Sequence, residues 1–226
     1  MSHYRIAVFS GDGDYRRLLE PYSEEDEEYY VFEPLSQEEL DKKWKSFSAQ
    51  NPNWTRDLWL KEMFRFNNET GQYGYWYNPK AGYDYYFEVN LEEYLDLKPQ
   101  YSFVNDEDDG GGYMKSMVDF MKTPGISRDR AAKEWREYSD HGDGWYNEKY
   151  YLERYGSEEQ YVTERLRPWM PYAFVTPDGV WHAPGKVGWF AVSDETAESM
   201  NRYWEEWKNF IEHGENCHVH IIDCHI

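Results

Sequence analysis

The last third of the chain, residues 169–226, most constrains the fold, because its elements follow one another with little ambiguity. Its apolar pattern predicts two short strands joined by the turn Thr176–Gly179, a third strand, an amphipathic helix and a final strand at His218–His225. Proline and glycine at the second and fourth turn positions are typical of a type I turn that closes a hairpin. We therefore expect a sheet covered by a helix.

The helix in this stretch has a continuous apolar face. We expect it to begin at Ser193 or Asp194, whose side chains can cap it, and to end at Gly214. The residues predicted to face the core recur at spacings of three and four: Met200, Tyr203, Trp204, Trp207, Phe210 and Ile211.

The first strand, His3–Ser10, has apolar residues on both faces and is predicted to lie inside a sheet. We expect it to lie in one sheet with the C-terminal strands. The predicted fold class is α+β, with a mostly antiparallel sheet that pairs the N- and C-terminal strands and helices on one face. A length of 226 residues fits a single domain, 1–226, with a core from 1–35 and 169–226 and a helical, tyrosine-rich elaboration at 36–168.

The elaboration begins with two predicted helices. Ser36 and Glu39 form a capping box for a helix that reaches Phe47. A second helix is predicted over 54–66, with inward residues Leu58, Trp59, Met63 and Phe66. The segment 71–90 then predicts a tyrosine-rich hairpin with its turn at Asn78–Gly82.

The rings of this hairpin have two interpretations. They can pair across the strands as ordinary sheet packing. They can also present an aromatic surface that binds a protein partner or stacks on a base, because tyrosine and tryptophan are favoured at interfaces. The candidate partner-binding rings are Tyr75, Tyr77, Tyr83 and Tyr85.

The net charge is −20, which weighs against direct binding to nucleic acid or to an anionic membrane. Such a charge is compatible with a basic protein partner or with mimicry of a polyanion; the alternative is that it serves solubility alone. The acidic candidates for partner binding form two runs: Glu24, Glu25, Asp26, Glu27 and Glu28, and then Asp106, Glu107, Asp108 and Asp109, which precede three glycines.

No apolar run approaches the ~20 residues that span a bilayer, and the first residues do not resemble a signal peptide. Cys217 and Cys224 are too few for a secreted disulfide framework, and their odd spacing places them on opposite faces of a regular strand. We therefore expect a cytoplasmic protein without a disulfide.

The histidines near the C-terminus are the main candidates for chemistry. His218 and His220 share one strand face, His225 lies opposite, and His3 is adjacent if the terminal strands pair. Two histidines at this spacing can bind zinc with a third ligand, but no established zinc spacing is present. Motifs for phosphate loops, dinucleotides and serine nucleophiles are also absent from the sequence. The sequence therefore predicts no catalytic residue, no metal and no cofactor, and favours a binding protein over an enzyme.

Four segments together resemble a family of uncharacterised bacteriophage and prophage proteins: the opening MSHYRIAV, the YNP at 77–79, the block PYAFVTPDGVWHAPGKVGWFAVSD and the terminal DCHI. In that family YNP is followed by Trp-Asp-Trp-Tyr and then by Gly-Gly-Arg-Trp. Here the first motif is represented by Tyr83–Tyr86, whereas Phe87–Asn90 replaces the second. The resemblance implies a bacterial host and a viral setting, and it implies no activity.

Three functions remain in order of preference. The first is an acidic interaction protein, in the manner of counter-defence inhibitors, that blocks the basic nucleic-acid-binding surface of a host enzyme. The second is a module that sequesters a nucleotide-like ligand, for which Arg165 and Arg167, or Arg16 and Arg17, would supply the phosphate contacts. The third is a metal-dependent enzyme that uses the C-terminal histidines.

Overall fold

The first and last strands of the chain pair with each other, as the sequence predicts. The computed structural model describes residues 3–91, 95–101, 113–123, 125–139, 148–186 and 194–225. Strand β1 (His3–Ser10) runs antiparallel to β9 (His218–His225), from His3 opposite His225 to Ser10 opposite His218. The residues of β1 from Ile6 to Phe9 are fully buried, which confirms that β1 is an inner strand.

This pair is the centre of a six-stranded sheet. The remaining strands are β5 (Tyr85–Val89), β6 (Tyr113–Met114), β7 (Ala173–Val175) and β8 (Trp181–His182). The order is β5-β9-β1-β7-β8, and β6 also pairs with β9. All pairs are antiparallel except β1 with β7. The α+β class and the mostly antiparallel sheet are therefore confirmed.

The predicted turn between β7 and β8 is present. The Gly179 amide donates to the Thr176 carbonyl at 2.8 Å, as a turn with Pro177 at its second position requires. Gly179 has φ +80°, a conformation that other residues adopt only with strain. The strand predicted at 189–192 lies outside the described residues.

Helix α7 (Ala197–His213) covers one face of this sheet. Tyr203 and Trp207 are buried against it, and three of the other predicted inward residues, Trp204, Phe210 and Ile211, pack on the same core. The predicted cap is wrong. Thr196 lies directly before the helix and caps it, in a capping box with Ser199 of the first turn. Asp194 instead accepts a hydrogen bond from the Lys186 amide.

A buried lysine closes the other end of α7. Lys115 lies in a single 3₁₀ turn (Lys115–Met117), and its Nζ donates to the carbonyls of Phe210, Ile211 and Gly214 at 3.0, 3.3 and 2.5 Å. Carbonyls in the last turn of a helix have no intrahelical partner, and a cation near them also interacts favourably with the helix dipole. Lys115 therefore joins its own segment to the end of α7.

Three further helices, α4 (Arg128–Ser139), α5 (Glu148–Tyr155) and α6 (Glu158–Arg165), enclose a second core. Its buried members are Ala131, Trp135, Tyr161 and Val162. The short helix α1 (Arg16–Leu19) follows β1. These elements and the six-stranded sheet belong to unit 1, which comprises Met1–Leu19 and Tyr83–Ile226. None of the described helices is long and apolar enough to cross a membrane.

The second compact unit, unit 2, is the continuous segment Glu20–Gly82. It contains β2 (Val31–Pro34), α2 (Gln37–Gln50), α3 (Arg56–Met63), β3 (Arg65–Asn67) and β4 (Gln72–Tyr77). The predicted capping box of α2 is confirmed, since Glu39 donates its amide to Ser36 and its carboxylate accepts from the Ser36 amide. The core of unit 2 is formed by Leu40, Trp59 and Phe64.

Two predictions for this region are wrong. The second helix ends at Met63, and Phe66 lies in β3; of the four residues predicted inward, only Trp59 is buried. The predicted hairpin over 71–90 does not form, because β4 is the middle strand of the sheet β2-β4-β3, whereas β5 pairs with β9. Both edges of β4 are thus occupied by β2 and β3. The side-chain amide of Asn78 then fixes the chain after β4 by donating to the carbonyls of Pro21 and Ser23.

Candidate partner-binding surface

Unit 2 has an unusually apolar surface. Of the eleven large hydrophobic side chains that are exposed among the described residues, seven lie in this unit, which makes up about a third of the described residues. They are Val31, Leu58, Met63, Phe66, Tyr75, Trp76 and Tyr77. Single exposed apolar residues are common on proteins, but a concentration of them in one small unit is typical of an interaction site.

The exposed aromatic residues of β4 lie beside strand β2, with which β4 pairs. Val31 lies opposite Tyr77, and Phe32 lies opposite Trp76 with ring centroids 5.2 Å apart. The Trp76 side chain is nevertheless 46% exposed. On the other face of β4, the Tyr75 ring packs 5.3 Å from Phe64 and remains partly exposed. Both faces of this strand pair therefore present aromatic area.

The acidic run Glu24–Glu28 comes directly before β2 and has a defined conformation. The Asp26 carboxylate accepts from the Glu28 amide at 3.0 Å and caps a 3₁₀ turn, Glu27–Tyr29. The Tyr30 hydroxyl donates to the Glu24 carbonyl at 2.5 Å. These local bonds leave the four glutamates exposed. The pKa of Tyr29 is raised, by burial first and then by the Glu28 carboxylate.

The acidic and aromatic residues thus follow one another on one stretch of chain. From Glu24 to Phe32 the chain presents carboxylates and then the strand that pairs with the exposed rings of β4. In unit 2 as a whole, thirteen acidic residues outnumber seven basic residues. We call the surface formed by Glu24–Glu28, Val31 and Tyr75–Tyr77, which includes both faces of the pair of β2 and β4, the acidic-aromatic surface.

The other predicted partner-binding residues are not part of this surface. Tyr83 is only 2% exposed, so its ring cannot contact a partner, and the prediction for this residue is wrong. Tyr85 begins β5 in unit 1. The run Asp106–Asp109 lies outside the described residues. Trp76 is an exposed ring that is not among the predicted residues, although it lies between two predicted tyrosines.

The C-terminal histidines lie on both faces of β9, as predicted, and His3, His220 and His225 each have a carboxylate neighbour. His220 Nδ1 lies 2.7 Å from Glu88 Oε1 on one face. On the other face, His3 Nδ1 lies 3.0 Å from Asp223 Oδ1, and His225 Nδ1 lies 3.4 Å from Asp84 Oδ2. Within the described ranges, no group of three or more histidine, cysteine, aspartate or glutamate side chains has an arrangement that could hold a metal ion.

The two cysteines are free and buried. Burial raises the pKa of the Cys217 thiol and, more strongly, that of the Cys224 thiol. A thiol with a raised pKa is a poor nucleophile at neutral pH, because the thiolate is the reactive form. This region of the sheet therefore offers paired histidines and inert thiols rather than an activated nucleophile.

Of the arginines considered for a phosphate ligand, Arg17 forms an ion pair with Asp12 at 2.9 Å, on the exposed turn after β1. Arg165 and Arg167 line a cavity of unit 1.

Comparison of the chain with protein-family models, with curated proteins and with solved structures gives no match.

Proposed function

We propose that this chain is an acidic interaction protein that binds a basic protein partner through the acidic-aromatic surface of unit 2. In the bacteriophage setting that the sequence resemblance implies, the partner would be a nucleic-acid-handling enzyme of the host. The chain would occupy the basic surface on which that enzyme holds DNA or RNA. The observation that supports this proposal most directly is the adjacency of exposed carboxylates and exposed rings on one folded unit.

The two kinds of residue would contribute differently to binding. Aromatic side chains such as Trp76 supply most of the affinity at a typical interface, because they bury a large apolar area in a water-excluded contact. Carboxylates such as Glu24 and Glu25 attract a basic partner over a distance and orient it, and they contribute more to the association rate than to the affinity. An inhibitor that replaces nucleic acid needs both effects.

The proposal is tested by affinity purification of the full chain from its bacterial host, followed by measurements on the purified pair. We expect a stoichiometric partner that is released by a DNA or RNA oligonucleotide and whose affinity falls steeply as salt is raised. Truncation of Trp76 to alanine should weaken binding by about 2 kcal/mol or more, which is roughly thirtyfold.

A matched pair of charge variants separates a local effect from the effect of total charge. One variant replaces Glu24, Glu25, Glu27 and Glu28 with glutamine. The control replaces four exposed glutamates of unit 1 with glutamine: Glu137, Glu153, Glu205 and Glu212. Both variants change the net charge by four. We expect the first to slow association at least tenfold more than the second. Equal association rates for the two variants, or a partner that nucleic acid does not displace, would overturn the proposal.

A further inference from the structure

Unit 1 contains a cavity with a volume of about 1010 Å³ that the proposed partner-binding function does not use. Its walls are residues of α4 and α6, the segment Arg167–Met170 and the chain around Ile126. Pockets that bind small molecules usually have volumes of about 300–1,000 Å³. The cavity is therefore large enough for a metabolite and much larger than an inorganic ion requires.

The cavity is lined by charges of both signs. Five of the 24 lysines and arginines line it: Lys122, Arg130, Arg154, Arg165 and Arg167. Four carboxylates also line it, those of Asp96, Asp119, Glu134 and Glu164, and Lys122 pairs with Asp96. One carboxylate, that of Glu134, is shared by two of them, since it lies 3.3 Å from Arg130 and 3.0 Å from Arg165. Two guanidinium groups are thus balanced by a single negative charge. Arg154 is paired with the buried carboxylate of Glu195.

Arg167 has the least compensated charge of the five. Its Nη2 donates to Asn201 Oδ1, while its Nη1 is buried and has no hydrogen-bond partner in the described part of the chain. Its guanidinium lies 5.3 Å from the centroid of the Trp204 ring. No carboxylate of the described residues lies within 4.0 Å of it. A partly buried cation without a paired anion is unfavourable, so this position favours an anionic ligand.

The electrostatic environment of two neighbouring groups agrees with this geometry. Burial lowers the pKa of Arg167, against the opposing influence of Glu164 and Glu205. Burial also raises the pKa of Glu164, which lines the same cavity. Both shifts indicate that this part of the cavity is poorly solvated. In such surroundings a hydrogen bond between a guanidinium and an anion is strengthened.

Another part of the wall is apolar and includes an indole ring. Trp169, Met170 and Met200 line the cavity beside the arginines, and Leu95 and Ile126 also contribute. Arginine pairs with phosphate through two parallel hydrogen bonds, and indole rings stack on planar bases. The wall therefore combines contacts for an anionic group with contacts for a planar apolar group.

We propose that this cavity binds a nucleotide, whose phosphate contacts Arg165 and Arg167 and whose base lies against Trp169. The site is independent of the interaction proposed for unit 2, because none of its lining residues belongs to that unit. A protein with both sites would bind a nucleotide in unit 1 and a protein partner through unit 2.

The test is isothermal titration calorimetry of the full chain with AMP, ATP, adenosine and inorganic phosphate in 150 mM salt. We expect AMP or ATP to bind with a dissociation constant below about 100 μM, which corresponds to about −5.5 kcal/mol. Adenosine should bind at least tenfold more weakly, because it has no phosphate. Inorganic phosphate should compete with the nucleotide but bind more weakly than it.

Two variants and a control locate the site. Arg167→Gln and Arg165→Gln should each weaken nucleotide binding at least tenfold. The control Arg136→Gln removes an exposed arginine of α4 that pairs with Glu158 and does not line the cavity, and it should bind normally. Circular dichroism establishes whether each variant is folded. If Arg167→Gln does not fold, the nucleotide affinity of Arg165→Gln decides the test.

The inference is overturned if no nucleotide gives saturable binding at 1 mM, or if Arg165→Gln binds as tightly as the unmodified chain. Adenosine that binds as tightly as AMP would also overturn it, because the arginines would then have no part in recognition. Failure of nucleotide binding leaves the partner-binding proposal unaffected, since the latter is measured with variants of unit 2.

Discussion

Replacement of Lys115 by methionine should destabilise the protein out of proportion to the loss of one lysine. The side chain is 7% exposed, and its ammonium group serves three carbonyls at the end of α7. Methionine preserves most of the apolar stem but removes the Lys115 donor from all three carbonyls, of which that of Phe210 keeps a backbone donor, the Gly214 amide. It also removes a cation from the negative end of the helix dipole.

The magnitude follows from these contacts. A hydrogen bond to a charged group contributes about 1.5–3 kcal/mol, and the interaction with the helix dipole adds up to about 2 kcal/mol. The cost of burying the ammonium, which lowers the pKa of Lys115, offsets part of this sum. We expect a net loss of about 3 kcal/mol in the free energy of unfolding. For a chain of this size, a loss of 3 kcal/mol lowers the melting temperature by about 6–12 °C.

The assay is urea denaturation at pH 7, followed by tryptophan fluorescence, with Lys133→Met as the control because Lys133 is exposed on α4. A second measurement uses pH. Since the pKa of Lys115 is lower in the folded chain, the unfolded chain binds the proton more tightly, and stability should rise as pH increases through the folded-state pKa. Lys115→Met should lack that rise. A loss below about 1 kcal/mol, or one equal to that of the control, would refute the reasoning.

Three further predictions concern other buried groups. Cys217 and Cys224 should not react with Ellman's reagent at pH 8 in the native protein, and both should react after unfolding in guanidinium, because burial raises the pKa of each thiol. Gly74→Ala should destabilise unit 2 by about 2 kcal/mol or more in urea denaturation, because the added Cβ would lie 2.1 Å from the Glu33 carbonyl oxygen. Glu164→Gln should stabilise the protein at pH 8 but not at pH 4, as measured by the urea midpoint. Burial raises the pKa of Glu164, so the stability that its protonated form contributes is lost as pH rises through the folded-state pKa. Glutamine resembles the protonated form at every pH.

Each of these predictions has a contrary outcome. Rapid labelling of the native thiols would mean that β9 opens readily. Gly11→Ala is the control for Gly74→Ala, because a Cβ at Gly11 meets no atom within 4 Å, and equal effects of the two would contradict the steric argument. A stabilisation by Glu164→Gln that does not change with pH would show that the buried carboxylate is not its cause.

The sequence predicted those parts of the fold that depend on local chemistry or on strong periodicity. The capping box of Ser36 and Glu39, the apolar face of α7 and the turn at Thr176–Gly179 each have a local cause and are present. The pairing of β1 with β9 was expected because β1 is apolar on both faces and must lie between other strands.

The sequence was misleading where a choice between partners decides the structure. The tyrosine-rich segment 71–90 has the pattern of a hairpin, but its two strands belong to different sheets. The local sequence does not determine which strand each of them pairs with. The helical spacing of Leu58, Met63 and Phe66 suggested an inward face, yet these residues are exposed. Unit 2 has a small core, and Trp59 already occupies the position that faces it.

The cavity in unit 1 could not be predicted as a site. Its lining residues come from chain segments near 95, 126, 154, 167 and 200, and only packing brings them together. Arg165 and Arg167 were noted because they are close in sequence, whereas Arg154 and Arg130 gave no comparable signal. The buried position of Lys115 was also missed, although Met114 and Met117 flank it on both sides.

The pairing of β1 with β9 has a consequence for the order in which the protein can be made. His3 and Asp223, which contact each other across this pair, are 220 residues apart. During synthesis, β1 emerges from the ribosome before β9, and the two strands cannot pair until β9 has been translated. Contacts of such large sequence separation form slowly, whereas all elements of unit 2 lie within one continuous segment. We therefore expect unit 2 to acquire its structure on the ribosome, while the apolar residues of β1 need protection from aggregation until translation has passed β9.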